Sequence, residues 1–214
     1  MIKAIIFDMD GVIINSEKVK AEAWKKVLSK YGVKDGDKWY KERAGISRTE
    51  LANDAIKTFS LSAKVEDLYK NKINTYHKML KNQTEPIEST IKFLKSIPKD
   101  IKIGLVSSQN KEIIKQQLKI IGVFSYFDVI ISGDDTIDRN KPYPDAYLLA
   151  AKKLKIETDS CIAVEDTKAG VEAAKSAGMK CVGFKNLDSG NQDLSKADKI
   201  VSNLNNLEWK NMLD

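Results

Sequence analysis

An α/β fold is predicted, a doubly wound parallel sheet with a small all-helical domain inserted after its first strand. Three features predict it. Short apolar runs at residues 2–7, 101–106, 127–132, 161–164 and 181–184 alternate, after the first, with segments of helical periodicity. Strands alternating with helices give parallel sheets with right-handed crossovers. Residues 16–82 carry helical patterns and no strand signal, so they read as an insertion. A chain of 214 residues has room for one sizeable domain and a small insert. The expected division is residues 1–15 with 83–214 as a Rossmann-like core and residues 16–82 as a helical cap.

Each element has its own signal. Ile2 to Phe7 is mostly apolar, as a strand buried on both faces reads. It stops at Asp8, followed by Asp10 and Gly11, and Gly11 permits a sharp turn. Ser16 is placed to cap a helix carrying Ala21, Ala23, Trp24, Val27, Leu28 and Tyr31, which Gly32 ends. A short helical piece runs to about Ala44. Ser47 and Glu50 have capping-box spacing and open a helix to about Phe59, and a longer helix covers Val65 to Leu80. Pro86 and Ile87 start a helix through Ile97, and Ile101 to Val106 is a strand. Lys111 to Ile121 is a helix closed by Gly122, and Phe127 to Ser132 is a strand. Pro144 suits the first turn of the next helix. Cys161 to Val164 is a strand ended by Glu165-Asp166, and Ala169 to Ala177 is a helix closed by Gly178. Cys181 to Phe184 is a strand, Lys199 to Val201 a weaker one, and Leu204 to Leu213 a last helix.

Composition narrows the class. With 42% hydrophobic and 31% charged residues, the chain is an ordinary soluble globular one. No run reaches the length of a membrane helix and no signal-peptide pattern opens it, so a cytoplasmic protein is expected, without membrane contact. The net charge of +6 is nearly all lysine, spread along the chain. That is a solvated surface rather than a nucleic-acid groove. Cys161 and Cys181 each lie in an apolar run and read as buried free thiols. The one histidine, His77, lies in a helix of the insert and reads as a surface residue, and a single histidine excludes a multi-histidine metal site.

The chemistry collects after the strands. Asp8 follows the first, Ser107 the second, Lys141 lies in the loop after the third, and Glu165-Asp166 end the fourth. The carboxyl ends of strands in an open parallel sheet share one edge, where such sheets bind ligands. Two acids at the end of a buried strand are costly unless paired, and a hard divalent cation is the simplest partner.

Asp8-x-Asp10-Gly11-Val12, Ser107, Lys141-Pro142-x-Pro144-Asp145 and Glu165-Asp166-x-x-x-Gly170, in this order, resemble the haloacid dehalogenase superfamily of phosphatases and phosphomutases. A helical cap just after the first motif resembles the subfamily of β-phosphoglucomutase and related sugar-phosphate phosphatases. The resemblance implies a Mg²⁺-dependent enzyme acting on a small phosphorylated metabolite, with no partner needed to complete the core, hence a monomer. Asp8 would be the nucleophile and a Mg²⁺ ligand. Asp10 would be general acid and base, and a ligand through its backbone carbonyl. Ser107, with N–H groups at the following helix start, would hold phosphoryl oxygens, and Lys141 would balance charge. Asp166 would ligate Mg²⁺, with Glu165 in the first or second shell.

The cap should select the rest of the substrate. In the β-phosphoglucomutase pattern a Gly-x-Ser-Arg segment and a later lysine contact substrate. Gly45-Ile46-Ser47-Arg48 matches the first and Lys72 the second. Arg48, Lys72, Lys20 and Ser108 are the expected substrate-binding positions. Two departures favour a phosphatase over the mutase, which stays the alternative. Lys20 stands where the mutase has a hinge histidine, and Ser108-Gln109-Asn110 replaces its serine–lysine–asparagine run. A non-enzymatic phospho-acceptor signalling domain also combines acids, a hydroxyl residue and a lysine. Its acceptor follows a later strand, where this chain offers at best Asp134-Asp135, and the helical insert and Asp8-x-Asp10 argue against it.

Overall fold

The strand order of the sheet, third, second, first, fourth, fifth, sixth along the chain, reverses direction beside the first strand. The protein is seen in a computed structural model that describes residues 1–43, 48–80, 83–136 and 139–206. Its strands are β1 (Ala4–Asp8), β2 (Lys102–Val106), β3 (Val129–Ile131), β4 (Cys161–Glu165), β5 (Lys180–Phe184) and β6 (Lys199–Val201). All neighbouring pairs are parallel. The helices are α1 (Glu17–Ser29), α2 (Gly36–Lys41), α3 (Arg48–Phe59), α4 (Val65–Leu80), α5 (Glu88–Ser96), α6 (Lys111–Ile120), α7 (Asp145–Leu154) and α8 (Lys168–Ser176).

The chain divides into two units, Met1–Asn15 with Glu85–Asn186 and Gln192–Asp214, and Ser16–Thr84 with Leu187–Asn191. In the first unit, side chains alternate across the sheet. Ile5 and Phe7 of β1 join a core with α5 and α6, including Leu94, Ile114 and Leu118. Ala4 and Ile6 face the other way and pack with Tyr147 and Ala150 of α7 and Val171 and Ala174 of α8. Burial on both faces is why the strands read as unbroken apolar runs. The segments at either end of the helical insertion are bonded together within this unit, Ile87 N–H to the Ile13 carbonyl at 2.9 Å and Asn15 N–H to that of Glu85 at 2.9 Å.

The second unit has its own core, in which Trp24, Leu28, Trp39, Leu51, Ala55 and Leu68 of α1 to α4 meet. The Trp24 and Trp39 rings pack edge to face, 5.3 Å apart. Leu187–Asn191, with a 3-10 turn at Leu187–Ser189, belongs to this unit although it lies far along the chain.

Several expectations need correction. Ser16 precedes α1 but its side chain makes no cap hydrogen bond, because its backbone is already helical (φ −83°, ψ −13°). The β3 ladder is shorter than the apolar run: the Asp128 carboxylate, just before it, accepts the Ile103 N–H at 2.9 Å. Leu204–Asn206 form a 3-10 turn. The rest of the expected final helix, the Gly45-Ile46-Ser47 segment with its capping box and the Arg48 side chain lie outside the described residues. His77 is half-buried, its ring 5.8 Å from that of Tyr76.

Candidate active site

Beyond the carboxyl end of β1 the chain folds back at once. Ile13 and Ile14 donate to the Met9 carbonyl at 2.9 and 3.0 Å, and Gly11 donates to that of Ile14 at 2.8 Å. Gly11 takes φ +88°, open to glycine at no steric cost. The turn leaves Asp8 at the strand end and Asp10 just past it. β4 lies beside β1 and ends at Glu165, so Asp8 and Glu165-Asp166 flank the point where strand order reverses. That is where a doubly wound sheet opens a crevice.

Carboxylate oxygens of Asp8, Glu165 and Asp166 lie within 4.8 Å of one another, and all three residues are buried. Lys141, from the connection between β3 and α7, reaches between them. Its ammonium donates to Asp8 Oδ1 and to Glu165 Oε1. The Lys141-Pro142 peptide is cis. Glu165 is wholly buried yet fully engaged. Its Oε1 also accepts the Tyr147 hydroxyl at 2.7 Å. Its Oε2 takes the Asp166 N–H at 3.2 Å and the Thr167 hydroxyl at 3.3 Å. Gly170 explains its place in the motif: a Cβ there would fall 1.9 to 2.1 Å from the Glu165 carboxylate.

The electrostatics follow from three clustered buried carboxylates, two of which hold one ammonium. Burial lifts the Asp8 carboxyl to about 7; Lys141 pulls it back, while Glu165 and Asp10 push it further up. Burial disfavours the Lys141 cation, but Asp8 and Glu165 outweigh it and hold the amine protonated above its ordinary range. Burial raises the Tyr147 hydroxyl, helped by Glu165 and Asp8, so it stays a donor. Burial also pushes the Cys161 thiol up to about 11. Such a thiol is no nucleophile.

Ser107 is buried where β2 ends, and its Oγ accepts the Gln109 N–H at 3.1 Å. Two N–H groups of the α6 N-terminus already have acceptors. Asp134 takes that of Lys111 at 2.9 Å, and Asn110 takes that of Ile113 at 3.0 Å. Ser108 is half-buried, and its carbonyl lies 2.5 Å from where a Cβ on Gly133 would stand.

The remaining expected positions belong to the helical unit. Lys20 pairs with Glu17 at 2.6 Å, and the Tyr40 hydroxyl donates to the other oxygen of Glu17 at 2.7 Å. Lys72 is buried on the α4 face that carries Leu68, Tyr76 and Leu80, its ammonium 4.7 Å from the Tyr76 ring centroid. Arg48 begins α3.

Sequence reasoning missed three core residues. Tyr147 lies in the apolar face of α7 and reads as packing. The Gln109 side-chain amide approaches both Asp10 oxygens, at 3.5 and 3.4 Å, and only its departure from the mutase run marked it. Asn186 donates to the Gly11 carbonyl at 2.9 Å. It follows the carboxyl end of β5, so the rule that located Ser107 could have found it.

Comparison with known proteins gives a consistent grouping. The sequence profile described as haloacid dehalogenase-like hydrolase matches residues 5–184. A phosphorylated carbohydrates phosphatase of Thermotoga maritima is 30% identical over 182 residues, 83% of this chain and 82% of that protein. A β-phosphoglucomutase of Bacillus subtilis is 32% identical over 216 residues, 96% of this chain and 91% of that protein. Among solved structures, a β-phosphoglucomutase from Clostridium difficile matches with a TM-score of 0.72 and 33% identity, covering 99% of this chain and 96% of that one.

Proposed function

Because the chain belongs to the haloacid dehalogenase-like hydrolase family, we propose that it is a Mg²⁺-dependent phosphatase that dephosphorylates a small sugar phosphate through an aspartyl-phosphate on Asp8. The observation that carries this is the meeting of Asp8, Lys141, Glu165 and Asp166 at the sheet's reversal point. The phosphorylated carbohydrates phosphatase relative supports the substrate class.

The donor set fits Mg²⁺: clustered, buried oxygens with negative charge in excess of Lys141. Asp8, Asp166 and the Asp10 carbonyl would hold the ion, while Glu165, already carrying four donors, would act behind them. When bound, the ion neutralises charge where an anionic nucleophile meets an anionic phosphoryl group.

In the proposed reaction an Asp8 carboxylate oxygen attacks phosphorus as the bond to the ester oxygen breaks. Asp10 gives its proton to the leaving alkoxide. Asp10 then takes a proton from water, whose oxygen bonds to phosphorus as the Asp8–phosphorus linkage breaks. Inorganic phosphate leaves and Asp8 is restored. Lys141 stays protonated beside Asp8, and Ser107 binds a phosphoryl oxygen. Arg48, Lys72 and Ser108 are proposed to contact the rest of the substrate. The buried thiols suit a reducing compartment, and we place the enzyme in the cytoplasm as a monomer.

A phosphomutase is the second reading, favoured by the two β-phosphoglucomutase matches. The Lys20–Glu17 pair, standing where the mutase pattern has its histidine, tips the choice to a phosphatase. The deciding experiment incubates the protein with β-glucose 1-phosphate, Mg²⁺ and a trace of the bisphosphate, and follows inorganic phosphate and glucose 6-phosphate separately. Phosphate release that stops with chelator and returns with Mg²⁺ is expected. Glucose 6-phosphate outpacing phosphate would make the enzyme a mutase.

A further inference from the structure

We propose that Tyr147 is the positioning residue for Lys141, acting through Glu165; the inference rests on the phosphoryl-transfer reading above. Tyr147 lies in the first turn of α7 and is wholly buried. Its hydroxyl donates at 2.7 Å to Glu165 Oε1, the oxygen that also accepts from Lys141. Its ring lies by the same ammonium, 5.4 Å from centroid to Nζ. One side chain thus touches both the lysine and the carboxylate that holds it.

Packing alone does not call for this hydroxyl. A phenylalanine ring would fill the same space, and a buried hydroxyl must find a partner or destabilise the fold. Here the partner is a carboxylate of the site. Lysine is a flexible stem with a point charge and three donors. Placed between two carboxylates, its ammonium settles wherever the acceptors are fixed. Asp166 N–H and Thr167 fix Glu165 Oε2, and Tyr147 fixes Oε1. By sharing Oε1, the hydroxyl weakens the pull of Glu165 on Lys141 and leaves the lysine directed at Asp8. The ring adds a cation–π contact on a third side.

The geometry also says why the tyrosine sits where it does. Tyr147 follows Lys141 by six residues, across Pro144 at the start of α7. The helix that carries Tyr147 therefore anchors the loop that carries Lys141. Both ends of this connection bind one carboxylate of β4.

The test is steady-state kinetics of Tyr147→Phe with p-nitrophenyl phosphate and Mg²⁺, with the melting temperature measured alongside. We expect kcat to fall about tenfold while KM stays within about twofold, the mark of an interaction used in the transition state. The melting temperature should fall by only several degrees, the cost of one lost hydrogen bond, since the ring is kept. A Tyr147→Phe enzyme with wild-type kcat would overturn the proposal, as would a fall confined to KM. A second measurement places the same substitution in a Glu165→Gln background. Little further loss of kcat is expected there, because the hydroxyl acts through the carboxylate. Full additivity would contradict that route. Absence of Mg²⁺-dependent phosphate release by the wild-type protein would refute the phosphatase reading itself. An active wild type with an unaffected Tyr147→Phe refutes only the role of Tyr147.

Discussion

At the scale of single residues, the site is governed by how three buried carboxylates tolerate one another. Asp8 holds its proton to about 7 in the fold, against an ordinary value of 3.8, chiefly because it is buried. The unfolded chain gives up that proton near pH 4. Between pH 4 and 7 the native state therefore binds more protons, and stability present below about pH 4 is lost as pH rises to about 7. Asp8→Asn cannot ionise and escapes this loss. In Mg²⁺-free buffer its melting temperature should pull ahead of wild type across that window and then run parallel. With Asp8 as the proposed nucleophile, its phosphatase activity should fall on the order of 10⁴-fold or more. A melting difference independent of pH would contradict the burial argument. Gly170→Ala tests the other side of the site. A Cβ 1.9 Å from the Glu165 carboxylate carbon forces that group or the start of α8 to move. A kcat loss on the order of a hundredfold is expected from a displacement near 1 Å, and a near wild-type value would show that Glu165 need not be held so tightly.

At the scale of elements, two aspartates outside the site fasten strand starts. Asp128 accepts the Ile103 N–H at 2.9 Å, and Asp198 accepts the Cys181 N–H at 2.7 Å. Asp198 also pairs with Lys175 of α8 at 2.8 Å, tying α8, β5 and the approach to β6 together. Burial works against its charge, but Lys175 and the Cys181 N–H prevail and hold its carboxyl below the usual range. Its stabilisation is thus present above pH 4 and lost as the solution is acidified. Asp198→Ala should cost about 1 kcal/mol at pH 7 in urea melts and much less at pH 3; an equal cost at both would point to packing. The elements themselves were largely legible, because strands buried on both faces leave unbroken apolar runs and the helices keep their periodicity. The misses share a cause. The apolar run around β3 overstated the strand because Asp128 turns its carboxylate, not its backbone alone, to β2. Ser16 has the right residue type for a cap but the wrong backbone. Composition carries neither fact.

At the scale of the whole molecule, a reversal of strand order brings distant residues to one place, and part of this could be read in advance. Asp8, Lys141, Glu165 and Asp166 announce themselves as polar residues at the ends of apolar runs or beside prolines. Tyr147 does not, since a tyrosine on the apolar face of α7 looks like packing until its hydroxyl is seen on Glu165. The side chains that choose a substrate are harder still, because helical periodicity gives faces and not ligands. The central claim, covalent phosphoryl transfer through Asp8, has a direct test. In the proposed mechanism, Asp10→Asn removes the base that releases the phosphoryl group, whereas p-nitrophenolate leaves without an acid. Mixed with p-nitrophenyl phosphate and Mg²⁺, then quenched in acid, this variant should give a stoichiometric burst of p-nitrophenol and a mass increase of one HPO₃ unit that maps to Asp8. No burst and no adduct, or an adduct on another residue, would contradict it.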